Sequence, residues 1–422
     1  MKRFALIALV LVSLIQPGLV AAVKKPARKP APKAAASAAK KAGKTAVKPA
    51  PKSTAAAKKP AVKTAGSKSS AKKAVTASAR KKKAPVRRYR PAPPVDPTIG
   101  DQLDGEDLAI RRAAVAALGT MNGSVVVVDP SNGRVLSIVN QKLAMKSGYI
   151  PCSTIKLVTG IAALSDGIIQ RGTEVRLSRR TTFNLTTALA HSNNPYFQRL
   201  GNQLGYDRVT HYAKLLGLGE KAGLDIQSEE PGIWPAEAPR YGGVGMMTAY
   251  GENIQVTPLE LAAMVSAVAN GGTLYHLQYP RSQEEIDNFE PKVKRELGLS
   301  PSALEDMKTG MRGAVDFGTA RRAFYNPEEP ILGKTGTCTD FRESNHMGWF
   351  GSFNEVDHHQ LVVVVMLLGT KTVNGPVASG VAGAIYRALS EQRYFVAEAR
   401  QAVDQTDSSS PASTKTVSDG AW

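Results

Sequence analysis

Short strand-like runs and longer helical patterns share the part of the chain that follows its first hundred residues. Two runs rich in β-branched residues, 124–128 and 134–139, flank the segment 129–133, whose Asp, Pro, Asn and Gly residues predict a turn. The Ala-rich segment 106–118 has the periodicity of an amphipathic helix. The body of the protein is therefore predicted to open with a helix and a β-hairpin.

Helical periodicity begins again near Ser153, reaches about residue 165, and continues with interruptions to about residue 216. Three runs of strand length then follow, and residues 378–390 close the body as a helix; the three runs are residues 331–339, 347–353 and 361–368. Strands at both ends with helices between them predict one antiparallel sheet that is assembled from distant parts of an α+β fold.

The N-terminus has the pattern of a secretory signal peptide. A short basic start precedes a 12-residue apolar run over 4–15, which Gln-Pro-Gly at 16–18 interrupts before a small-residue cleavage site at 20–22. This pattern predicts a signal peptide over 1–22. The alternative is an uncleaved anchor, because the apolar stretch counted as far as Val23 has about 20 residues, the length that spans a bilayer. Either way, the body is expected outside the cytoplasm, in the periplasm or associated with the cell envelope.

Positive charge is concentrated before the body. The chain has a formal net charge of +20, yet residues 23–95 contain 23 Lys and Arg residues and no acidic residue. From Asp96 onward, acidic residues outnumber basic ones, 35 against 30. Proteins that bind nucleic acids carry positive charge on their folded surface, so no nucleic-acid partner is expected.

The same compositional change predicts the domain boundaries. The Lys/Ala/Pro-rich linker over 23–95 cannot bury enough apolar surface to fold and is predicted to be disordered. It can serve as a spacer, and its charge favours anionic envelope polymers or a membrane surface as partners. The folded domain is expected over 96–402, and the Ser/Thr/Asp-rich end, 403–422, as a disordered tail.

The first candidate for chemistry is the pair Ser153 and Lys156 in Ser-Thr-Ile-Lys. A spacing of three on a helix places the hydroxyl and the amine on one face, about 5–6 Å apart at Cβ. Burial or a neighbouring cation must lower the pKa of Lys156 before its amine can activate the hydroxyl. Pro151 precedes the pair, and a helix start there would point backbone N–H groups at a developing oxyanion. Alone, this tetrapeptide is uninformative in a chain rich in Ser and Lys.

Two further segments are weak separately and informative together. Ser192-Asn193-Asn194 offers a hydroxyl for proton transfer and an amide for binding a peptide carbonyl. Residues 334–337, Lys-Thr-Gly-Thr, open a predicted strand, where the Lys and Thr side chains suit a carboxylate and the glycine allows close approach of a ligand. The order S-x-x-K, S-x-N, K-T-G, with the last on a strand near the C-terminus, is a strong joint signal.

With these motifs, the body resembles the transpeptidase domain of penicillin-binding proteins over about residues 100–395. Further segments share the resemblance, namely residues 123–130, 133–136, 192–197, 256–262 and 269–272. The resemblance implies a mostly antiparallel five-stranded sheet flanked by helices, with an all-helical subdomain inserted between the first and last strands. No cofactor is expected, and no metal site is expected either, because His358-His359 has no spaced partners that could complete one.

The resemblance also implies the reaction. Ser153 would be acylated by D-alanyl-D-alanine stem peptides of peptidoglycan or by β-lactams, with Lys156 as the general base. Ser192 would transfer protons and Asn194 would bind substrate. The acyl group would then pass to an amine, in a D,D-transpeptidase, or to water, in a D,D-carboxypeptidase.

The third motif would complete the site. Lys334, Thr335, Gly336 and Thr337 would bind the carboxylate region of the substrate. The backbone N–H groups of Ser153 and Thr337 would form the oxyanion hole.

Two alternatives stay open. A serine β-lactamase would need a carboxylate for deacylation; Glu229 and Glu230 are candidates, and both are expected to be surface residues without a catalytic role. A non-catalytic envelope-binding protein or β-lactam sensor is the second alternative. Two departures from the family pattern bear on this: the basic linker stands where many members have another domain, and residues 251–253 read Gly-Glu-Asn where Gly-Gln-Gly is often found.

The two cysteines of the chain, Cys152 and Cys338, flank the first and third motifs. The arrangement resembles some class A serine carbapenemases, in which a disulfide joins these two places. An even number of cysteines in an oxidising compartment fits one bridge. The alternative is two separate buried thiols.

Overall fold

The computed structural model describes residues 96–146, 148–341, 345–356 and 359–396. The predicted signal peptide, the basic linker and the C-terminal tail lie outside the described residues, as does the end of the predicted domain from residue 397. The predicted domain boundaries therefore remain predictions.

The described residues form a mixed fold of helices and strands. The helices are α1 (Leu108–Leu118), α2 (Gln141–Ala144), α3 (Lys156–Ser165), α4 (Leu185–Ala190), α5 (Asn194–Leu204), α6 (Tyr206–Leu215), α7 (Gly243–Tyr250), α8 (Pro258–Ala269), α9 (Gln283–Asp287), α10 (Pro301–Asp316) and α11 (Gly375–Glu391). The strands are β1 (Gly123–Val128), β2 (Val135–Val139), β3 (Val175–Arg176), β4 (Thr182–Phe183), β5 (Thr273–Tyr275), β6 (Val293–Glu296), β7 (Ile331–Asp340), β8 (Asn345–Asn354) and β9 (Val362–Gly369). Two 3₁₀ turns are formed by Cys152–Ile155 and Arg321–Ala323.

A five-stranded sheet in the order β2-β1-β9-β8-β7 forms the centre of the fold, and each neighbouring pair of strands is antiparallel. Strand β1, from the start of the body, pairs along its whole length with β9, from the end, with Gly123 opposite Leu367 and Val128 opposite Val362. This pairing confirms the predicted α+β fold, in which one antiparallel sheet is assembled from parts of the chain that are distant in sequence.

The side chains of the sheet alternate between two cores, as the period of two in a strand requires. Val125 and Val127 of β1 pack on the side covered by α1 and α11, whereas Val126 packs in the larger core that contains α8. Both faces of β1 and β9 are thus buried, which is why their sequences read as continuous valine runs.

Helices α2 to α10 lie between β2 and β7 in the chain and form the predicted helical insertion. Two small two-stranded sheets, β3–β4 and β5–β6, accompany these helices and were not predicted. Within the described ranges, no helix is both long and apolar enough to cross a membrane.

The start of the body is fastened to the sheet by buried charges. Arg111 of α1 forms ion pairs with Asp101, at 2.6 Å, and with Glu106, at 3.4 Å. Glu106 also accepts hydrogen bonds from the backbone N–H of Ile138, at 2.8 Å, and from the hydroxyl of Ser137, at 3.0 Å. These bonds fix the chain just before α1, close to the end of the predicted linker.

Candidate active site

The predicted nucleophile, Ser153, lies in the 3₁₀ turn that leads directly into α3, so the regular helix begins at Lys156. The periodicity predicts a helix that begins near Ser153, and the regular α-helix begins three residues later. In a 3₁₀ turn the side chains at i and i+3 eclipse one another, so Ser153 and Lys156 project from the same side of the turn. As a result, the Lys156 Nζ lies 2.6 Å from the Ser153 Oγ.

The Lys156 amine is completely buried and joins the first two motifs. Besides Ser153, its Nζ contacts the Asn194 Oδ1, at 2.6 Å, and the Ser192 Oγ, at 3.2 Å. Burial, and to a lesser extent the charge of Lys334, lowers the pKa of Lys156 to about 6. The amine is therefore largely unprotonated at neutral pH.

The start of α5 positions the second motif. The Asn193 side chain caps α5 by accepting a hydrogen bond from the backbone N–H of Tyr196, at 2.9 Å. Ser192 has a φ of 55°, in the left-handed region, just before this cap. The Phe197 ring lies one turn into α5, with its centroid 5.7 Å from the Lys156 Nζ. Asn193, the middle residue of the motif, thus caps the helix, and Ser192 and Asn194 contact Lys156.

The third motif lies in β7 at the edge of the sheet. Lys334 is completely buried, and its Nζ donates a hydrogen bond to the carbonyl of Thr335, at 3.0 Å. Burial lowers the pKa of Lys334 to about 7. Thr337 is exposed, and its Oγ1 accepts a hydrogen bond from the backbone N–H of Gly375, at 2.8 Å. Because that oxygen already accepts a bond, the hydroxyl proton of Thr337 is available to a ligand.

The turn and the strand are in direct contact. A Cβ at Gly336 would lie 3.0 Å from the carbonyl oxygen of Pro151 and 3.3 Å from the Cβ of Cys152, so a side chain there would push the nucleophile turn away. Cys152 and Cys338 form the expected disulfide, with a Cα–Cα distance of 5.5 Å. The two residues next to this bridge are Ser153 and Thr337, the predicted oxyanion-hole pair.

One expectation about the carboxylates was wrong. Glu229 is only 3 % exposed, not a surface residue, whereas Glu230 is exposed as expected. The Glu229 carboxylate accepts backbone hydrogen bonds from Ala222, at 2.8 Å, and from Gly223, at 3.0 Å. A carboxylate can be buried only where hydrogen-bond donors replace water, and these two N–H groups supply the donors for Glu229. The same bonds close the loop between residues 222 and 229. Burial raises the pKa of Glu229.

Sequence reasoning also missed Thr319, in the turn after α10. Its Oγ1 lies 2.6 Å from the Oγ1 of Thr335. Neither periodicity nor a motif distinguishes Gly318-Thr319-Ala320 from an ordinary turn, so only the three-dimensional contact identifies it.

The fold and this arrangement of serine, lysine and threonine residues match the arrangement predicted for serine acyl transfer, and the comparisons with known proteins give the family. The model of the penicillin binding protein transpeptidase domain matches residues 123–391. The chain therefore belongs to the penicillin-binding protein transpeptidase family, as the motifs predicted.

Two curated relatives illustrate the range of sequence identity to known proteins. Stage V sporulation protein D of Bacillus subtilis is 31 % identical over 313 residues, which are 62 % of this chain and 48 % of that protein. Peptidoglycan D,D-transpeptidase MrdA of Haemophilus influenzae is 23 % identical over 337 residues, which are 62 % of this chain and 52 % of that protein. The chain spans about half the length of the curated relatives it matches.

Solved structures agree on the fold. PBPA from Mycobacterium tuberculosis has a TM-score of 0.59 at 22 % identity, covering 68 % of this chain and 81 % of that one. The transpeptidase domain of penicillin-binding protein 3 from Burkholderia pseudomallei has a TM-score of 0.59 at 20 % identity, covering 68 % of this chain and 96 % of that one.

Proposed function

We propose that this protein is a D,D-transpeptidase or D,D-carboxypeptidase that acts on D-alanyl-D-alanine stem peptides of peptidoglycan through an acyl-Ser153 intermediate, and that β-lactams acylate the same serine. The observation that carries the proposal is the buried Lys156 amine, 2.6 Å from the Ser153 Oγ and with a lowered pKa. The relative MrdA is a peptidoglycan D,D-transpeptidase by name, which supports the substrate class.

The hydrogen-bonding capacity of Lys156 supports its role as the general base. A neutral amine has two N–H donors and one lone pair. The Asn194 Oδ1 can only accept, so it takes one N–H, and the Ser192 Oγ takes the other. The lone pair then faces the Ser153 hydroxyl, from which it accepts the proton.

The reaction proceeds in two halves. In the first, the Ser153 Oγ forms a bond to the carbonyl carbon of the penultimate D-alanine, and its proton passes to Lys156. The proton then reaches the leaving amine through Ser192 as the C–N bond breaks, which releases the terminal D-alanine. In the second half, an amine of another stem peptide or a water molecule attacks the ester, and Ser153 recovers its proton.

The remaining residues of the site bind substrate in this scheme. The substrate carboxylate is held by the hydroxyls of Thr335 and Thr337 and by the charged form of Lys334, and it lies along the backbone of Gly336. Asn194 binds the peptide. The backbone N–H groups of Ser153 and Thr337 stabilise the oxyanion. The disulfide between Cys152 and Cys338 supports this pairing, because it links the residues next to Ser153 and Thr337 and so keeps the two N–H groups close together.

The proposal includes where the protein lies in the cell and how its catalytic domain reaches the substrate. The segment 1–22 exports the chain to the envelope as a cleaved signal peptide or as an anchor, and the linker over 23–95 lets the catalytic domain over 96–402 reach its substrate. The positive charge of the linker, with no acidic residue in it, favours weak attachment to anionic polymers or lipid headgroups.

The function is tested with a soluble peptide ending in D-alanyl-D-alanine and with peptidoglycan precursor carrying an acceptor amine. Mass spectrometry of the products is expected to show release of D-alanine with the wild-type protein and none with Ser153→Ala. Cross-linked product identifies the transpeptidase, and hydrolysed product the carboxypeptidase. Turnover of β-lactams without reaction of either peptide would instead support the β-lactamase and contradict the proposal.

The rate of acylation should depend on pH in a bell-shaped manner. The base must be neutral, so the rate constant rises with pH through the pKa of Lys156, about 6. The carboxylate of the β-lactam needs the charged form of Lys334, so the rate constant falls as pH rises through the pKa of that residue, about 7. The measurement is the second-order acylation rate constant across the pH range, with circular dichroism at each pH as the control for folding. A rate constant that does not change over this range would contradict the roles of both lysines.

A further inference from the structure

Thr319 lies outside the three motifs but contacts the surroundings of two of them. Its backbone N–H donates to the carbonyl of Ala190, at 3.1 Å, two residues before Ser192. Its Oγ1 lies 2.6 Å from the Oγ1 of Thr335, the residue after Lys334. One residue therefore connects the segment that leads into the second motif with the strand that carries the third.

The local structure holds Thr319 firmly in this place. A Cβ at Gly318 would lie 2.2 Å from the carbonyl oxygen of Ala190, so only glycine permits the approach of this turn to Ala190. On the other side, the backbone N–H of Ala320 donates to the carbonyl of Ala314, at 2.7 Å, which closes the turn on the end of α10. The backbone of Thr319 is thus held by main-chain contacts on both sides.

The partner of this hydroxyl is equally constrained. Thr335 is 4 % exposed, and α11 begins against it, since a Cβ at Gly375 would lie 2.7 Å from the Thr335 Cβ. A buried threonine hydroxyl without a partner would be free to rotate and would lose hydrogen-bond energy. Either hydroxyl can donate in the 2.6 Å bond between Thr319 and Thr335, and the Thr319 Oγ1 also lies 3.4 Å from the carbonyl oxygen of Ala190. When Thr319 donates to Thr335, the bond holds the Thr335 hydroxyl in place and leaves its proton for a ligand.

We propose that Thr319 is a positioning residue for acylation: its hydroxyl orients the hydroxyl of Thr335 for the carboxylate of the substrate or β-lactam. The proposal rests on the proposed function, because it assigns Thr335 to carboxylate binding. Thr319 itself makes no contact with the reacting atoms in this scheme and acts through Thr335 alone. Its effect should therefore fall on the binding of the ligand before acylation, not on the acylation step.

The test is a double-mutant cycle measured by stopped-flow acylation with a fluorescent penicillin. Thr319→Val keeps the shape of the side chain and removes the hydroxyl. It is expected to raise the dissociation constant of the pre-acylation complex by about three- to tenfold, which corresponds to the loss of one hydrogen bond. The acylation rate constant should change little, and the melting temperature should fall by only a few degrees, about the loss of one buried hydrogen bond. In a Thr335→Val background, Thr319→Val should have almost no further effect, because the group through which it acts is gone.

Two controls separate the outcomes. Thr319→Ser retains the hydroxyl and should behave as wild type. Thr309→Val removes an α10 hydroxyl that donates to the carbonyl of Glu305 in the same helix, at 2.8 Å, and should also have no effect. If Thr319→Val does not fold, Thr319→Ala replaces it in the same cycle.

Equal losses from Thr319→Val in both backgrounds, or a loss in Thr319→Ser as large as in Thr319→Val, would overturn the positioning role. An unchanged dissociation constant of the pre-acylation complex in Thr319→Val would overturn it too, and would leave the proposed function intact. Failure of the wild type to be acylated would instead overturn the proposed function.

Discussion

Replacement of Lys156 with methionine is expected to lower the rate constant for acylation of Ser153 by a β-lactam by about a thousandfold, in the middle of the range for removal of a general base. Methionine fills the buried space with an uncharged chain of similar length but cannot accept the proton. The side chain is completely buried, so no water molecule from bulk solvent can readily take its place next to the Ser153 Oγ. The measurement is the time course of the acyl-protein by intact mass.

Lys308→Met is the matched control for this substitution. Lys308 is also a largely buried lysine above an aromatic ring, with its Nζ 5.9 Å from the centroid of Phe353, but it lies in α10 and pairs with Glu305 and Glu355. Its replacement should leave the acylation rate constant within a factor of about two, as expected for a group that does not take part in proton transfer. A Lys156→Met protein that is acylated at the wild-type rate would show that another group activates Ser153.

Removal of the disulfide is expected to have the second large effect. The bridge joins residues 186 apart in the chain, so it strongly restricts the unfolded state, and its loss should lower the free energy of unfolding by about 2–5 kcal/mol. Acylation should slow as well, because Cys152 precedes the nucleophile and Cys338 follows the strand residue Thr337. The measurement compares urea unfolding and acylation of the wild-type protein with and without a reductant.

The double variant Cys152→Ser, Cys338→Ser is the control for that experiment. The chain has no other cysteine, so the reductant should leave the double variant unchanged, and its stability should equal that of the reduced wild type. If the reductant lowers neither the unfolding midpoint nor the acylation rate constant of the wild type, the bridge does not stabilise the site.

The sheet could be predicted because its central strands are valine runs that need both faces covered. The runs at 124–128 and 361–368 correspond closely to β1 and β9. The proximity of Ser153 to Lys156 also followed from their spacing. The type of helix did not follow from the spacing. The 3₁₀ turn packs at Pro151 and Cys152 against Gly251 and Gly336, which are distant in sequence, and a sequence pattern does not display such contacts.

Other parts of the site depend on backbone groups, which sequence patterns do not display. Glu229 is buried because the N–H groups of Ala222 and Gly223 bind its carboxylate, and nothing in the side chains of those two residues predicts this. Thr319 contacts Thr335 only because the chain folds back after α10. Periodicity and motif order thus predict which elements and residues meet, but not the loops that orient them.

The most direct test of the account is intact mass spectrometry of the full chain after incubation with benzylpenicillin, followed by mapping of the modified peptide. The wild-type protein is expected to gain one penicilloyl group on Ser153, and Ser153→Ala none, with both proteins giving the same melting temperature before the addition. An adduct on another residue, or equal labelling of Ser153→Ala, would contradict the assignment of Ser153 as the nucleophile.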